Sequence, residues 1–222
     1  HYPLRRQRQM CIRDSYKGEI AEEIYTKLDQ ADFSVELARV RSLAPDAIFQ
    51  FHPGGAGINL TKQFANSGLD GKIKMITPIY SMDERMLAAT GTAGKGFYLS
   101  SLWSADLDNP QNKHFVQAFT QAYNRAPTAY AAQAYDTANL IGTALKAAGG
   151  DIAGKPDAFR DALRRADFPS VRGKFKFGPN QHPVQDWYLL HIEAGPDGKL
   201  VYKNLKVIAR DHTDVHLSLI HI

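Results

Sequence analysis

The sequence of 222 residues contains few of the features that build disulfide scaffolds, thiolate metal centres or membrane spans. Its single cysteine, Cys11, excludes an internal disulfide and any metal cluster held by cysteines. There is no run of about 18 apolar residues, so we expect no membrane-spanning helix. With 44% hydrophobic and 23% charged residues, the composition is typical of a globular protein with a substantial core.

The motifs that usually identify an enzyme are also missing. There is no G-x-S-x-G elbow, and the stretch Gly91–Gly96 departs from a phosphate-binding loop because Ala89 and Gly96 replace the required glycine and hydroxyl residue. The histidines lack the spacing of metal ligands. We therefore expect no catalytic residues, no metal, no cofactor and no enzymatic activity.

Most of the net charge of +4 lies in residues 1–15, which carry four arginines and one aspartate. The stretch Arg6–Ser15 resembles a translated sequencing adapter, and Leu217–Ile222 resembles the matching artefact. We expect residues 1–15 and 217–222 to be non-native scars outside the fold. A basic arm for nucleic acid is the alternative. Without residues 1–15 about one positive charge remains, so we expect no nucleic-acid partner.

From residue 16 to Trp103, short apolar segments alternate with helical patterns. This alternation predicts a parallel sheet with helices on both faces. The predicted elements are a strand Glu19–Tyr25, a helix capped by Ser34, a buried strand Ala47–Phe51, a helix ending at Gly68, a strand Lys74–Thr77, a helix Asp83–Ala89 and a strand Lys95–Ser100.

After Trp103 the pattern changes, and the polar stretch Ser104–Pro110 predicts a crossing between two lobes. Three helices and three strands follow, and the last two strands flank a hairpin turn at Gly195–Gly198. The first helix carries Phe115, Phe119 and Tyr123. The second has a predicted buried stripe of Ala134, Ala138, Ile141 and Leu145, and the third has Pro156 in its first turn. The strands are Gly173–Phe177, Asp186–Glu193 and Lys199–Ile208. The predicted fold class is α/β.

The glycine-rich turn His52–Gly57 is the most informative local feature, because it follows a strand and precedes a helix. Glycines let a ligand approach backbone N–H groups, and a helix N-terminus favours an anion. A tight turn without any ligand is the alternative. Tyr80 lies in the loop after the next strand, and two such neighbouring loops would frame one cleft.

Several stretches, in their order, resemble the solute-binding proteins of ABC importers in the branched-chain amino-acid (leucine, isoleucine, valine) binding class. They are Asp32–Ser34, Pro45–Phe49, Pro53–Gly55, Asp106–Pro110, Tyr130–Asp136 and Val171–Phe175. The resemblance covers roughly residues 16–216. Four stretches are most similar to a branch associated with aromatic acids: Tyr130–Asp136, Val171–Phe177, Gln185–Tyr188 and Asp211–His212.

The resemblance implies a bilobal type I periplasmic binding protein, or venus flytrap, in which three crossings join two α/β lobes. Residues 16–103 would form the second lobe, residues 104–180 would return to the first lobe, and residues 181–216 would return to the second. The opening half of the first lobe would be missing, so the chain would be a fragment with an incomplete first lobe. Trp103 and Ser104 would lie at the hinge.

The resemblance also implies where a ligand would bind. The expected ligand-binding residues are His52, Pro53, Gly54, Gly55, Ala56, Ile79, Tyr80 and Tyr130. Binders of α-amino acids commonly place an acid near the position of Ile79, and isoleucine cannot neutralise an ammonium group. We therefore expect an aromatic or other hydrophobic acid without an α-amino group, with Tyr80 stacked on its ring. A branched-chain amino acid is the alternative.

The function that the resemblance implies is capture of a small carboxylate in the periplasm for delivery to an ABC permease. Ligand would stabilise the closed form through its higher affinity for it. We expect a monomer when the protein is complete. The alternatives are a ligand-sensing domain of a regulator or receptor, and a doubly wound α/β enzyme acting on a small anion. We also expect marginal stability, because Phe115 and Phe119 would lack a covering sheet.

Overall fold

The computed structural model describes residues 17–213. The expected scars at residues 1–15 and 217–222 lie outside these described residues. The elements in chain order are α1 (Ser34–Leu43), β1 (Ala47–Phe49), α2 (Gly54–Asn66), β2 (Lys74–Pro78), a 3-10 turn (Ile79–Ser81), α3 (Glu84–Thr90), β3 (Tyr98–Ser101), α4 (Pro110–Tyr123), α5 (Ala129–Ala147), α6 (Pro156–Arg165), β4 (Lys176–Phe177), β5 (Pro183–Ala194) and β6 (Leu200–His212).

A mixed sheet lies at the centre of the fold, with β1, β2, β3 and β5 in that order and β6 paired to β5. The strands β1, β2 and β3 are parallel, as the alternation of strands and helices predicted. The strand β5 runs antiparallel to β3 and to β6, so the predicted hairpin at Gly195–Gly198 is confirmed. The short strand β4 pairs with the start of β5.

Local signals explain where several helices begin and end. Gly68 follows Ser67, the C-cap residue of α2, and has φ +72°, a conformation that glycine adopts without strain. The carboxylate of Asp83 accepts two backbone N–H groups of the first turn of α3 and so caps that helix. The predicted cap at Ser34 is wrong, because Ser34 is itself the first residue of α1. Its N–H donates to the carboxylate of Asp32 across 2.9 Å.

The core lies between the sheet and the helices. Phe64 of α2 meets the ring of Phe97 edge-on, with the ring centroids 5.9 Å apart. The sheet contributes apolar side chains that are at most 2% exposed: Met75, Leu99, Leu190 and Ile192. None of the helices in the described part of the chain combines the length and the apolar character needed to cross a bilayer.

The first strands of the chain differ from the prediction. The segment Glu19–Tyr25 forms no strand. The predicted buried strand at Ala47–Phe51 is shorter, and its side chains Phe49 and Phe51 are 69% and 59% exposed. The reason is position: β1 is the edge of the sheet, and no strand among residues 17–213 pairs with its outer side.

The apolar faces of α4 and α5 also differ from the prediction. Phe115 of α4 is only 4% exposed, because the rings of Trp103 and Tyr135 cover it with centroids 6.1 Å and 4.8 Å away. The predicted buried stripe of α5 is wrong. Ala134, Ala138 and Ile141 are exposed, and the inward face of α5 carries Ala132, Asp136 and Ala144 instead.

Candidate functional site

The turns that follow β1 and β2 lie side by side at the carboxyl edge of the sheet. Since the two strands are parallel neighbours, both chains leave the sheet at the same edge. Gln50 joins them: its backbone N–H donates to the carbonyl of Ile76 across 2.9 Å, and its side-chain amide donates to Oγ1 of Thr77 across 2.8 Å. The predicted adjacency of the two turns is therefore confirmed.

The glycine-rich turn presents open backbone at the start of α2. A Cβ atom added at Gly54 or Gly55 would meet no atom within 4 Å, and both residues are exposed. At Gly57 a Cβ would lie 2.1 Å from the carbonyl oxygen of His52, so only glycine allows this close packing. Among residues 17–213 no side chain caps α2, whose preceding residue is Pro53. An uncapped helix N-terminus of this kind favours a negatively charged group.

The imidazole of His52 contacts three other side chains beneath the turn. Its Nε2 lies 2.8 Å from Oγ1 of Thr26 and its Nδ1 lies 3.0 Å from Oε1 of Gln50. The ring also meets Phe33 edge-on at 5.3 Å. Burial lowers the pKa of His52 below its ordinary value, against the opposing effect of the Glu36 charge. Both ring nitrogens have partners within the chain, so the ring braces the loop and leaves neither nitrogen open.

Two of the expected ligand-binding side chains are buried in the core. Ala56 is 7% exposed and Ile79 is 2% exposed. Their side chains pack inside the fold and do not line the open edge. In contrast, Pro53 is exposed at the turn, beside Gly54 and Gly55.

Tyr80 and Tyr130 lie far apart in the sequence, and the structure brings them together. Their ring centroids are 5.0 Å apart and the ring planes are inclined by 54°. Tyr80 belongs to the 3-10 turn after β2, whereas Tyr130 lies in the first turn of α5, where Thr128 caps the helix. Tyr130 is 46% exposed and Tyr80 is half-buried. We call this pair the tyrosine wall.

Polar groups surround the phenol of Tyr80. Burial raises the pKa of Tyr80 above its ordinary value, and the neighbouring Tyr130 acts in the same direction. A hydrogen bond with the Gln133 side chain and the positive charge of Arg172 lower that pKa. The phenol therefore stays protonated at neutral pH and keeps a hydrogen to donate. The tyrosine wall can thus hold a flat acid by stacking and hydrogen bonding.

The expected hinge residues Trp103 and Ser104 are buried against the start of α4. The indole N–H of Trp103 donates to Oδ1 of Asn112 across 2.7 Å. The amide of Asn112 donates to the carbonyls of Ser104, Ala105 and Leu107. One asparagine therefore holds the segment that follows β3 in place.

Two features at this edge were missed by the sequence analysis. Glu84, at the start of α3, is half-buried, and its buried Oε2 has no hydrogen-bond partner among the described residues. Burial raises the pKa of Glu84 to about 7; the Asp83 charge adds to this, and the charges of Arg85 and Arg125 oppose it. The other is a buried ion pair between Asp136 and Arg172. No local sequence signal identifies either, since the environment of a charge depends on distant residues.

Comparison with known proteins was consistent with this architecture. A family described as "Periplasmic binding protein" matches residues 12–199. No curated protein matches the chain.

Three solved structures illustrate the similarity. A solute-binding protein of an ABC transporter from R. palustris, in complex with benzoate, is 34% identical, with a TM-score of 0.79, and the match covers 89% of this chain and 52% of that one. A second, from Rhodopseudomonas palustris BisB5 in complex with 3,4-dihydroxybenzoic acid, is 36% identical, with a TM-score of 0.71 and coverages of 86% and 52%. An ABC transporter substrate-binding protein from Sphaerobacter thermophilus is 29% identical, with a TM-score of 0.81 and coverages of 88% and 54%. The chain thus spans about half the length of these proteins.

Proposed function

The chain belongs to the periplasmic binding protein family, and we propose that it is part of the substrate-binding component of an ABC transporter. Its ligand is a small aromatic acid held between two lobes, and its partner is an ABC permease that receives that acid in the periplasm. The protein acts by binding and release, and no bond is made or broken. Two of the similar proteins were solved with benzoate and with 3,4-dihydroxybenzoic acid, which supports this ligand class.

The observation that carries the proposal is the tyrosine wall at the carboxyl edge of the parallel strands. Tyr80 and Tyr130 offer aromatic surface, and the open backbone at Gly54 and Gly55 lies on the neighbouring turn. Stacking between aromatic rings contributes about 0.5–1.5 kcal/mol beyond the burial of area. The uncapped start of α2 supplies the positive end of a helix dipole for the carboxylate.

The charges around the wall favour an acid without an α-amino group. The groups that bear on the Tyr80 phenol are Tyr130, Gln133 and Arg172, and none of them is an anion. Ile79 is apolar and buried. The carboxylates at this edge offer an ammonium group little counter-charge, because Asp83 is paired with Arg85 and burial raises the pKa of Glu84 to about 7.

The arrangement of elements supports two lobes. The strands β1, β2, β3, β5 and β6 share one sheet, which agrees with residues 16–103 and 181–216 forming the second lobe. The segment 104–180 contributes α4, α5 and α6, which agrees with its assignment to the first lobe. Trp103 and Ser104 follow β3 in the sequence, which agrees with their assignment to the hinge. A ligand packed on the tyrosine wall would contact both parts, because Tyr80 lies in one and Tyr130 in the other, and would stabilise the closed form.

Isothermal titration calorimetry on the 222-residue chain tests the proposal. Benzoate and 4-hydroxybenzoate should bind with measurable heat, and leucine should not. Tyr80→Leu should weaken the binding of both acids about tenfold, in line with the loss of one stacking partner. Tyr123→Leu is the matched control, because Tyr123 is 62% exposed on α4 and outside the wall. Heat with leucine alone, or with none of the three compounds, would refute the proposal.

A further inference from the structure

The carboxylate of Asp136 is the centre of a buried polar network. Asp136 lies on the inward face of α5, and its side chain is 1% exposed. It accepts hydrogen bonds from Oγ of Ser170 across 2.6 Å, from the backbone N–H of Val171 across 2.9 Å and from Nε of Arg172 across 2.8 Å. Every one of these donors belongs to the segment that leads towards β5, so the carboxylate fastens α5 to that segment.

Arg172 extends the network to the sheet. One of its terminal nitrogens donates to Oε1 of Gln185 in β5 across 2.7 Å, and its guanidinium carbon lies 4.6 Å from the centre of the Phe175 ring. The side chain is only 8% exposed. A second link joins the same segment to α4, because the amide of Asn109 donates to the carbonyl of Val171 across 3.1 Å.

The network connects the helix that carries Tyr130 with the sheet that carries Tyr80. On one side, α5 carries Asp136 and, nearer its start, Tyr130. On the other side, Gln185 lies in β5, which pairs with β3, and β3 pairs with β2, the strand that leads into Tyr80. The position of Tyr130 relative to Tyr80 therefore depends on how α5 is attached to β5.

Apolar packing holds the rotation of α5 only weakly, because the apolar residues on its buried face are the small side chains Ala129, Ala132 and Ala144. Asp136 is the one polar residue buried with them, and the larger Ile141 is exposed. Each residue of a helix turns by about 100°, so a slip of one position would carry Asp136 out of reach of its three donors. A buried carboxylate without donors is strongly disfavoured, and the network therefore selects one rotation of the helix.

We infer that Asp136, Arg172 and Gln185 are positioning residues of the ligand site, which hold α5 against β5 so that Tyr130 lies against Tyr80. They act through the tyrosine wall and need no contact with the ligand. This inference rests on the proposed function, because it takes the tyrosine wall as part of the ligand site. The part of the inference that concerns the Tyr80–Tyr130 contact can be tested without any ligand.

Fluorine NMR on protein labelled with 3-fluorotyrosine measures that contact. The Tyr80 signal is identified by its absence in Tyr80→Phe, and Tyr130→Leu shows where this signal lies when the neighbouring ring is missing. Asp136→Asn keeps the shape of the side chain and removes its charge. It should move the Tyr80 signal towards its position in Tyr130→Leu and weaken benzoate binding at least tenfold. The Tyr202 signal in β6 should stay in place, which distinguishes a local shift from general unfolding.

The matched control removes an ion pair of the same type at the surface. Asp157 accepts a hydrogen bond from Arg160 on α6, and both side chains are more than half exposed. Asp157→Asn should leave the Tyr80 signal and benzoate binding unchanged. If Asp136→Asn does not fold, Gln185→Leu removes only the link to β5 and should move the Tyr80 signal in the same direction.

The outcomes separate the possible roles. An unchanged Tyr80 signal in folded Asp136→Asn or Gln185→Leu overturns the inference. An unchanged signal with weakened benzoate binding does so too, because it indicates that Arg172 acts on the ligand directly. A moved signal supports the positioning role even if the unaltered protein binds no aromatic acid, in which case the proposed function alone fails.

Discussion

The side-chain amide of Gln50 donates to Oγ1 of Thr77 across 2.8 Å and joins the ends of two parallel strands. Gln50 is 4% exposed and Thr77 is fully buried. The oxygen of the same amide accepts the backbone N–H of His52 across 2.8 Å. One glutamine therefore connects the glycine-rich turn with the strand that leads into the tyrosine wall.

Thr77→Val should destabilise the protein, because it leaves the buried amide of Gln50 without its acceptor. An unsatisfied buried polar group costs about 1–3 kcal/mol. The double variant Gln50→Leu/Thr77→Val removes donor and acceptor together and should cost less than the sum of the two single variants. Urea unfolding followed by circular dichroism measures these free energies. A double variant that equals the sum would show that the bond does not couple the two residues.

Gly57→Ala should destabilise the start of α2, because the added Cβ would lie 2.1 Å from the carbonyl oxygen of His52. Overpacking of this kind typically costs about 1–3 kcal/mol. Gly55→Ala is the control: its Cβ meets nothing within 4 Å, and alanine at a helical position stabilises by roughly 0.4–1 kcal/mol. Thermal unfolding should therefore shift in opposite directions for the two variants. Equal shifts would argue against the close approach at Gly57.

Glu84→Gln should stabilise the protein increasingly as the pH rises. Burial raises the pKa of Glu84 to about 7 from its ordinary value of 4.5, so the folded state binds the proton more tightly than the unfolded state. Stability due to that proton is fully present below pH 4.5 and is lost as the pH rises through 7. A shift of this size corresponds to about 3 kcal/mol at alkaline pH.

Denaturant unfolding of this variant at pH 5 and at pH 8.5 measures the effect. The gain over the unaltered protein should be larger at pH 8.5 by about 2–3 kcal/mol. Glu19→Gln, at an exposed position, should show no such difference. An equal gain at both pH values would mean that Glu84 is ionised in the folded protein throughout this range.

His52 should make the protein less stable in weak acid. Burial lowers the pKa of its imidazole below 6.5, so the unfolded state binds the proton more tightly than the folded state. Stability due to the neutral ring is therefore present above pH 6.5 and is lost as the pH falls below it. In His52→Gln the melting temperature should fall less between pH 7 and pH 5. A steeper fall in the variant would contradict the assignment.

Local sequence signals predicted much of the fold. Gly68 marked the end of α2, the alternation of strands and helices predicted the parallel strands β1 to β3, and Gly195–Gly198 predicted the hairpin between β5 and β6. These features depend on backbone conformation within a few residues, which glycine, proline and short polar side chains restrict directly. The same alternation of strands and helices predicted that the two turns lie side by side at the carboxyl edge of the sheet.

Whether an individual side chain is buried or exposed, and what it contacts, depends on the tertiary structure. Periodicity shows which residues of α5 share a face, but it does not show whether anything covers that face, and Ile141 is exposed while Asp136 is buried. The contact between Tyr80 and Tyr130 depends on the pairing of β5 with β3 and on the ion pair of Arg172. Local signals therefore predicted the order of the elements and the edge of the sheet at which the two turns lie. The tyrosine wall forms only because Tyr80 and Tyr130 come together from distant segments of the chain. Contacts of this kind depend on long-range packing and not on local backbone preference.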